Sequence, residues 1–378
     1  AMWQSHTYTS TSMKKLLRST WRQYYNVIAN INLILRELET HRNVIVSESE
    51  YNLFKGELLA LRAYLHFDLM RLFGVADWSG ENAAKLTVPY VTEYSSKITP
   101  QRSYADTEQL LFADLNAAIK ALKESDPLLL TGDNLTDFNN TVNLDGYWNN
   151  RNKHLNYYAT LALAARIYQW KNDTATAAAY AQQVIDGALG KMVTWVDVDA
   201  QLIAATDDEK DWSFSTEHLF SLEITNLYNS ASQYLFDISG IRYGICLSRE
   251  VVDNLLFVRY DPVTGSQAGA EDLRGPAMQL RYGALGYCCY KLYHSSSYPY
   301  SFRNRMPMIK IAEMYYILAE NYISLDQNTT ALQMLDVVRK NRGVGNDFPV
   351  TANAENELMK EYYREFLCEG QLFYYMKH

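Results

Sequence analysis

Long apolar runs are missing from this chain of 378 residues. None approaches the roughly 18 consecutive apolar residues of a membrane-spanning helix, so no such helix is expected. Runs of lysine and arginine are missing too. With 35 basic against 43 acidic residues and a net charge of −8, the chain lacks the positive stripe that a nucleic acid or an anionic lipid surface requires. Only four cysteines occur, Cys246, Cys288, Cys289 and Cys368. They make no CxxC pair and no Cys/His spacing of a metal site. Adjacent Cys288 and Cys289 would point to opposite faces of a strand, which argues against a bridge between them. All four read as buried free thiols.

Catalytic signatures are equally scarce. The seven histidines form no HExxH, and no GxSxG, phosphate-binding loop or GxGxxG occurs. Glu361, Glu365 and Glu369 recur every fourth position on one helical stripe. A catalytic carboxylate pair must face its partner across a cleft. Three acids on one stripe, with Arg364 at hand, read instead as a solvated or arginine-paired face. No catalytic residue, metal or cofactor is therefore assigned.

Helical periodicity is what the chain has in abundance. It runs from about 12 to 40 through Trp21, Tyr24, Tyr25, Ile28, Ile31, Ile34, Leu35 and Leu38. A second helix spans about 47 to 73, with Ser47-Glu48-Ser49-Glu50 as its start and Gly74 as its stop. A third, about 106 to 122, places Leu111, Leu115 and Ala118 on one face, and residues 125–152 read as loop. Two blocks 154 positions apart then repeat one another. Ala165, Tyr168, Ala177, Ala181 and Val184 have the offsets of Ala319, Tyr322, Ala331, Leu335 and Val338. Each block reads as a helical hairpin, turning at Lys171-Asn172-Asp173 or Asp326-Gln327-Asn328. The small residues let its helices approach closely, as in tetratricopeptide-type repeats. Such scaffolds usually bind rather than react.

Residues 188–305 lose this period. β-favouring runs at 218–224 and 287–293 sit among Gly, Ser and Asn clusters, which predicts an irregular, loop-rich lobe with short β-strands, before helices resume at about Met306. Thirty tyrosines are present. Most are expected to fill helix contacts, and a minority to stack on a ligand. Trp78, in the turn 75–80, is the leading candidate. Its polar neighbours Asp77, Ser79 and Asn82 suit an exposed indole facing a sugar ring or a peptide side chain, although the ring could equally fold back over the helix end. Tyr282, Tyr287, Tyr298 and Tyr300 of the lobe are candidates of the same kind. Trp78 and Tyr298 are expected on one solvent-facing surface.

Several segments together resemble the SusD/RagB family of nutrient-binding outer-membrane lipoproteins of Bacteroidetes. Leu61-Arg62-Ala63-Tyr64 with Leu69 and Phe73-Gly74 is similar to the family's "LRA…Y…L…FG" helix end. Asp114-Leu115, Ala118 and Leu122 match "DL..A...L", and 159–168 (ATLALAARIY) matches "A…ALLARVYL". Asp272-Leu273-Arg274 resembles "DPR", and 307–319 (PMIKIAEMYYILA) resembles "P.IRLAEVYLI.AEA". Val338 to Gly343 is similar to "VR.RAG", while Glu361, Glu365, Phe366, Glu369 and Gly370 fit "ER..EL..EG". Departures are Tyr362 and Gln371 where arginine is usual, and Tyr374 where aspartate is usual. The family's lipid-bearing cysteine would lie upstream of Ala1.

The resemblance implies one all-α-dominated domain over 1–378. About four tetratricopeptide-like hairpins, over about 12–187 and 306–378, would carry the lobe of about 188–305. It further implies a surface-exposed outer-membrane lipoprotein that captures oligosaccharide, or alternatively peptide, and partners a SusC-like TonB-dependent transporter. The rival readings are a glycoside-processing enzyme and a helical-repeat interaction protein without a small ligand.

Overall fold

The computed structural model describes residues 9–232, 246–257, 271–283, 286–293 and 300–378. The chain divides into two compact units, Ala1–Asn149 and Asn150–His378.

In the first unit, helices α1 (Thr11–Thr40), α2 (Glu48–Phe73), α3 (Tyr104–Ser125) and α4 (Gly132–Thr141) follow in order. Ser10, Ser47 and Ser103 start the first three by accepting the N–H groups of Met13, Glu50 and Asp106, donors that the helix itself leaves unpaired. Helix α2 meets α3 at Gly56, where a Cβ would stand 2.7 Å from Leu122 Cγ. Only glycine permits that approach. Helix α4 lies inside the stretch predicted as loop. It is short and polar, and Phe138 is its one buried residue, so its sequence carries almost no apolar period to detect.

The connection from α2 to α3 contains one 3-10 turn at Gly80–Asn82 and a Leu86–Ser103 bridge. Helical side chains hold it in place. Tyr25 donates to the Pro89 carbonyl at 2.8 Å and Asn32 to that of Val91 at 3.0 Å. Arg62 clasps Asp114 with two bonds of 2.6 and 2.7 Å, and donates to Asn32 and to the Thr92 carbonyl. Tyr90 closes the cluster with a 2.6 Å bond to Asp114. His66 lies 2.9 Å from the Arg62 carbonyl through Nδ1, and accepts from the Val91 N–H at 3.0 Å through Nε2. Those two roles require the neutral ring, and burial pushes its pKa down to about 3.

In the second unit the two repeat blocks form the expected hairpins, α5 (Tyr157–Trp170) with α6 (Thr174–Ala188), and α10 (Ile311–Ser324) with α11 (Asn328–Lys340). Ala165, Ala177, Ala319 and Ala331 are fully buried. Even the turns repeat. Asn172 and Asp326 are both left-handed, with φ of 60° and 57°. In each, the next residue bonds back to the tyrosine of the repeat, Asp173 to Tyr168 at 3.0 Å and Gln327 to Tyr322 at 2.8 Å. This is the six-to-one closure of a helix C-terminus, with Asn or Asp where glycine is commonest. Helices α12 (Ala354–Phe366) and α13 (Leu372–Lys377) end the chain.

Between the hairpins lie α7 (Val198–Ile203), β1 (His218–Glu223), α8 (Leu227–Ser232), β2 (Cys246–Leu247) and the short turn α9 (Arg249–Val251). Strands β3 (Leu280–Gly283), β4 (Gly286–Cys289) and β5 (Arg305–Lys310) follow. β1 pairs antiparallel with β5, and β2, β4 and β3 form a second antiparallel sheet in that order. The helix predicted from Met306 therefore starts at Ile311, because 306–309 pair with β1 instead. The free-thiol expectation also needs correction. Cys246 and Cys288 face each other across β2 and β4 and are joined as a disulfide. The β-ladder sets them side by side, which spacing alone did not disclose.

The three acids expected on one helical stripe are buried, but only Glu361 and Glu365 lie on α12. The helix ends at Phe366, and Glu369 stands in the turn after it, where Cys368 is left-handed. Glu361, Glu365, Glu369, Glu217 and Asp272 meet Arg274, Arg342, Arg364, Lys291 and Lys310, five acids with five bases. Arg342 holds Glu217 through two bonds of 2.6 Å and reaches Glu365 at 3.1 Å. Arg274 lies 2.6 Å from Glu361, and Lys310 lies 2.7 Å from Glu365 and 2.8 Å from Glu369. Burial pushes Glu361 upward, but Arg274 and Arg364 outweigh it and hold the carboxyl at about 2. The cluster is scaffold. It fastens the segment around 272–274 and strand β5 to α12 and to the end of α11.

Candidate functional site

Trp78 is not the exposed platform that its neighbours suggest. It is only 4% exposed. Its ring stacks on Tyr104 and meets the edge of Phe67, each at 6.0 Å between centroids. The polar residues beside it are occupied locally. Asp77 accepts both the Ser79 N–H at 2.8 Å and the Ser79 hydroxyl at 2.7 Å, and Asn82 accepts from Lys85 at 2.6 Å. That side-chain turn sets the exposed residues outward and rolls the indole inward, over the end of α2. Gly74 is part of the same closure, since a Cβ there would stand 2.2 Å from the Tyr104 hydroxyl.

The lobe tyrosines divide. Tyr298 lies outside the described residues. Tyr287 is buried, whereas Tyr282, its register partner across β3 and β4, is 63% exposed. Strand alternation would put such a directly opposed pair on one face, and their rings do meet edge-on at 5.1 Å. The buried ring thus backs the exposed one. Tyr300 is partly exposed and stacks flat on Phe302 at 5.0 Å.

Two residues that the sequence did not single out complete the Tyr282 surface. The Arg249 guanidinium lies 5.9 Å from the Tyr282 ring centre, and Arg249 pairs with Asp253 at 3.1 Å. Asp253 also accepts from the Tyr287 hydroxyl at 3.3 Å. The Asp253 hydrogen bond holds the Arg249 pKa above its ordinary value. The four-residue spacing of Arg249 and Asp253 was the available signal, yet it is also the commonest surface ion pair. The result is a wet aromatic face flanked by one donor and one acceptor. Such a face suits a ring with an apolar side and peripheral hydroxyls. Among the described residues no cluster of three or more metal-binding side chains occurs, and Glu361, Glu365 and Glu369 are each committed to a cation.

A tetratricopeptide-like helical scaffold bearing a loop-rich lobe with small sheets defines the class of protein. Comparison with known proteins is consistent with it. Residues 1–130 match a family model described as "Starch-binding associating with outer membrane", and residues 264–377 match that of the SusD family. The chain belongs to the SusD/RagB family. Similar solved structures include a SusD superfamily protein of Bacteroides thetaiotaomicron, 19% identical, with a TM-score of 0.71 over 94% of this chain and 74% of that one. A SusD superfamily protein of Bacteroides vulgatus is 20% identical, with a TM-score of 0.68 over 94% and 73%. A SusD-like carbohydrate binding protein of Bacteroides vulgatus is 16% identical, with a TM-score of 0.64 over 94% and 68%. A search of the curated proteins found no match.

Proposed function

We propose that this protein is a non-catalytic carbohydrate-binding protein, and that Tyr282 with Arg249 and Asp253 forms part of its ligand platform. The observation that carries this reading is the exposed Tyr282 ring, backed by buried Tyr287 and flanked by a guanidinium and a carboxylate. A rigid ring loses little freedom when a sugar stacks on it, and the flanking charges can bond hydroxyls. Family membership supports the same ligand class. Tyr300 on Phe302 is a second aromatic surface that the proposal includes. Asp77, Ser79 and Asn82 remain solvent-facing or partly so, but without an exposed indole between them.

In this reading the protein, as one domain of the family kind, works at the outer surface of the outer membrane. It is held there by a lipid anchor and passes captured oligosaccharide to a SusC-like TonB-dependent transporter. No described helix is long and apolar enough to cross a membrane. The test is a binding screen of the purified protein against α- and β-linked glycans and against peptides, followed by assay for cleavage of any binder. Glycan binding without cleavage is expected. Peptide binding alone would replace the ligand class, and cleavage would replace the mechanism.

A further inference from the structure

Strand β4 presents two cysteines to opposite faces. Cys288 is joined to Cys246. Cys289, turned the other way by strand alternation, is buried with its sulfur 4.0 Å from the Leu367 carbonyl oxygen. The next residue, Cys368, packs against the cluster that Cys289 forms with Leu256, Phe257, Leu280 and Leu367. An ion pair flanks them. Lys291, two residues after Cys289, holds Glu369, one residue after Cys368, at 3.1 Å. Both backbones are therefore fixed beside the thiols. Cys368 itself has φ of 64°, a left-handed conformation uncommon for a residue with a Cβ.

From this arrangement we infer that Cys289 and Cys368 close as a second disulfide, which ties β4 to the segment after α12. A chain carrying Cys246–Cys288 matures where thiols are oxidised, so an oxidant of the disulfide class is at hand. Cys368 is the more exposed of the pair. Its thiolate attacks the oxidant's disulfide, and one oxidant thiolate departs. The Cys289 thiolate then attacks the Cys368 sulfur of the mixed disulfide and expels the second. Two thiols give two electrons and, through solvent, two protons to the oxidant's sulfurs, which leave as thiols. Burial raises the Cys289 pKa, but the Cys368 side chain and the Lys291 charge outweigh that and lower it, which favours the resolving thiolate. Cys289 and burial hold the Cys368 thiol well above its ordinary value, so its exposure, not its acidity, selects it for the first attack. The closed loop spans residues 79 positions apart, long enough for a bridge to restrict the unfolded chain strongly. The strand that carries Tyr287 would then be stapled on both faces, whatever ligand the lobe binds.

The test uses the full chain, exported to an oxidising compartment or incubated with oxidised glutathione. It is denatured without reductant, alkylated with iodoacetamide and weighed intact. No alkyl adduct is expected, and proteolysis should yield one peptide pair linking Cys289 to Cys368. Two adducts mapped to these cysteines, or Cys289 linked to another partner, would overturn the inference. Cys368→Ser should show a single adduct at Cys289, retain Cys246–Cys288, and be cleaved several-fold faster within 246–293 under non-reducing conditions. Cleavage at the wild-type rate would show that the two segments are not tied.

Discussion

The two units bury charge on different scales. In the first, buried pairs stand apart: Arg71 meets Asp68 within α2, and Arg62 and Asp114 form a fork-shaped pair, capped by Tyr90 and Asn32, that holds the connection 74–103. In the second, ten charges share partners, so that Glu361 and Glu365 of α12 and Glu369 just beyond it are each held by two or more cations. Burying an ion costs several kcal/mol, and a pair recovers this only with good geometry and full hydrogen bonding. A single pair meets that condition with one arginine. The lobe's strands span only two to six residues and its apolar residues gather in separate small clusters; the network fastens it to the helices. Most of the segments that carry the family resemblance in the second unit supply this network: Asp272 and Arg274, Arg342, and Glu361 to Glu369. In this chain the segments that carry the resemblance there build the clamp, whereas the candidate ligand face lies outside it.

The comparison breaks most readily at Arg342. Replacing Arg342 with methionine removes both 2.6 Å bonds to the Glu217 carboxylate and one of the cations at Glu365. The expected loss is about 3–5 kcal/mol by urea unfolding, with hydrogen-exchange protection lost across the second unit first. A change under about 1 kcal/mol would mean that the remaining cations suffice. Asp114→Asn in the first unit should cost less, about 2–3 kcal/mol, because the amide keeps one acceptor for Arg62 while the charge is lost. Its exchange signature should be confined to the first unit, above all 85–104.

How much of this was legible without coordinates follows from the same contrast. The hairpins could be read because their signals are local. Buried alanines and a left-handed Asn or Asp recur at fixed offsets. The three acids were visible as a stripe, but their partners Arg274 and Arg342 come from distant parts of the chain, and only folding makes them neighbours. Trp78 misled for a related reason. Its nearest neighbours in sequence are polar, while Tyr104 and Phe67, which bury it, belong to two helices. The disulfide was hidden because a ladder register sets Cys246 opposite Cys288. Arg249 and Asp253 gave a signal too common to be informative.

Acid offers a comparison in which the units should behave alike. Each contains a fully buried neutral histidine, His66 in the first and His218 in the second, whose pKa burial pushes down to about 3. An unfolded histidine titrates near 6.5. Between those values the unfolded chain takes up a proton that the folded chain refuses, so each contribution is complete above about pH 6.5 and is lost as pH falls toward 3. The slope is about 1.4 kcal/mol per pH unit for each ring, or about 2 kcal/mol by pH 5. Unfolding free energies at pH 7, 6 and 5 should therefore fall less steeply for His66→Gln than for wild type. Equal slopes would show that His66 is not held neutral.

A smaller effect is expected at the repeat crossing. Ala319→Leu inserts bulk where no side-chain surface is free and should cost about 1–3 kcal/mol. Wild-type melting would mean that the crossing has room that the buried alanine does not reveal.

The most direct measurement is calorimetric titration of the best-binding glycan from the screen into wild type and Tyr282→Ala. Removing an exposed ring should leave the unfolding transition where it is. Affinity should fall by an amount on the order of 1–3 kcal/mol, the scale of a strong aromatic anchor. An alanine variant that binds the same glycan with wild-type affinity, or a wild-type protein that binds none of the panel, would contradict the assignment of the ligand platform to the Tyr282 face.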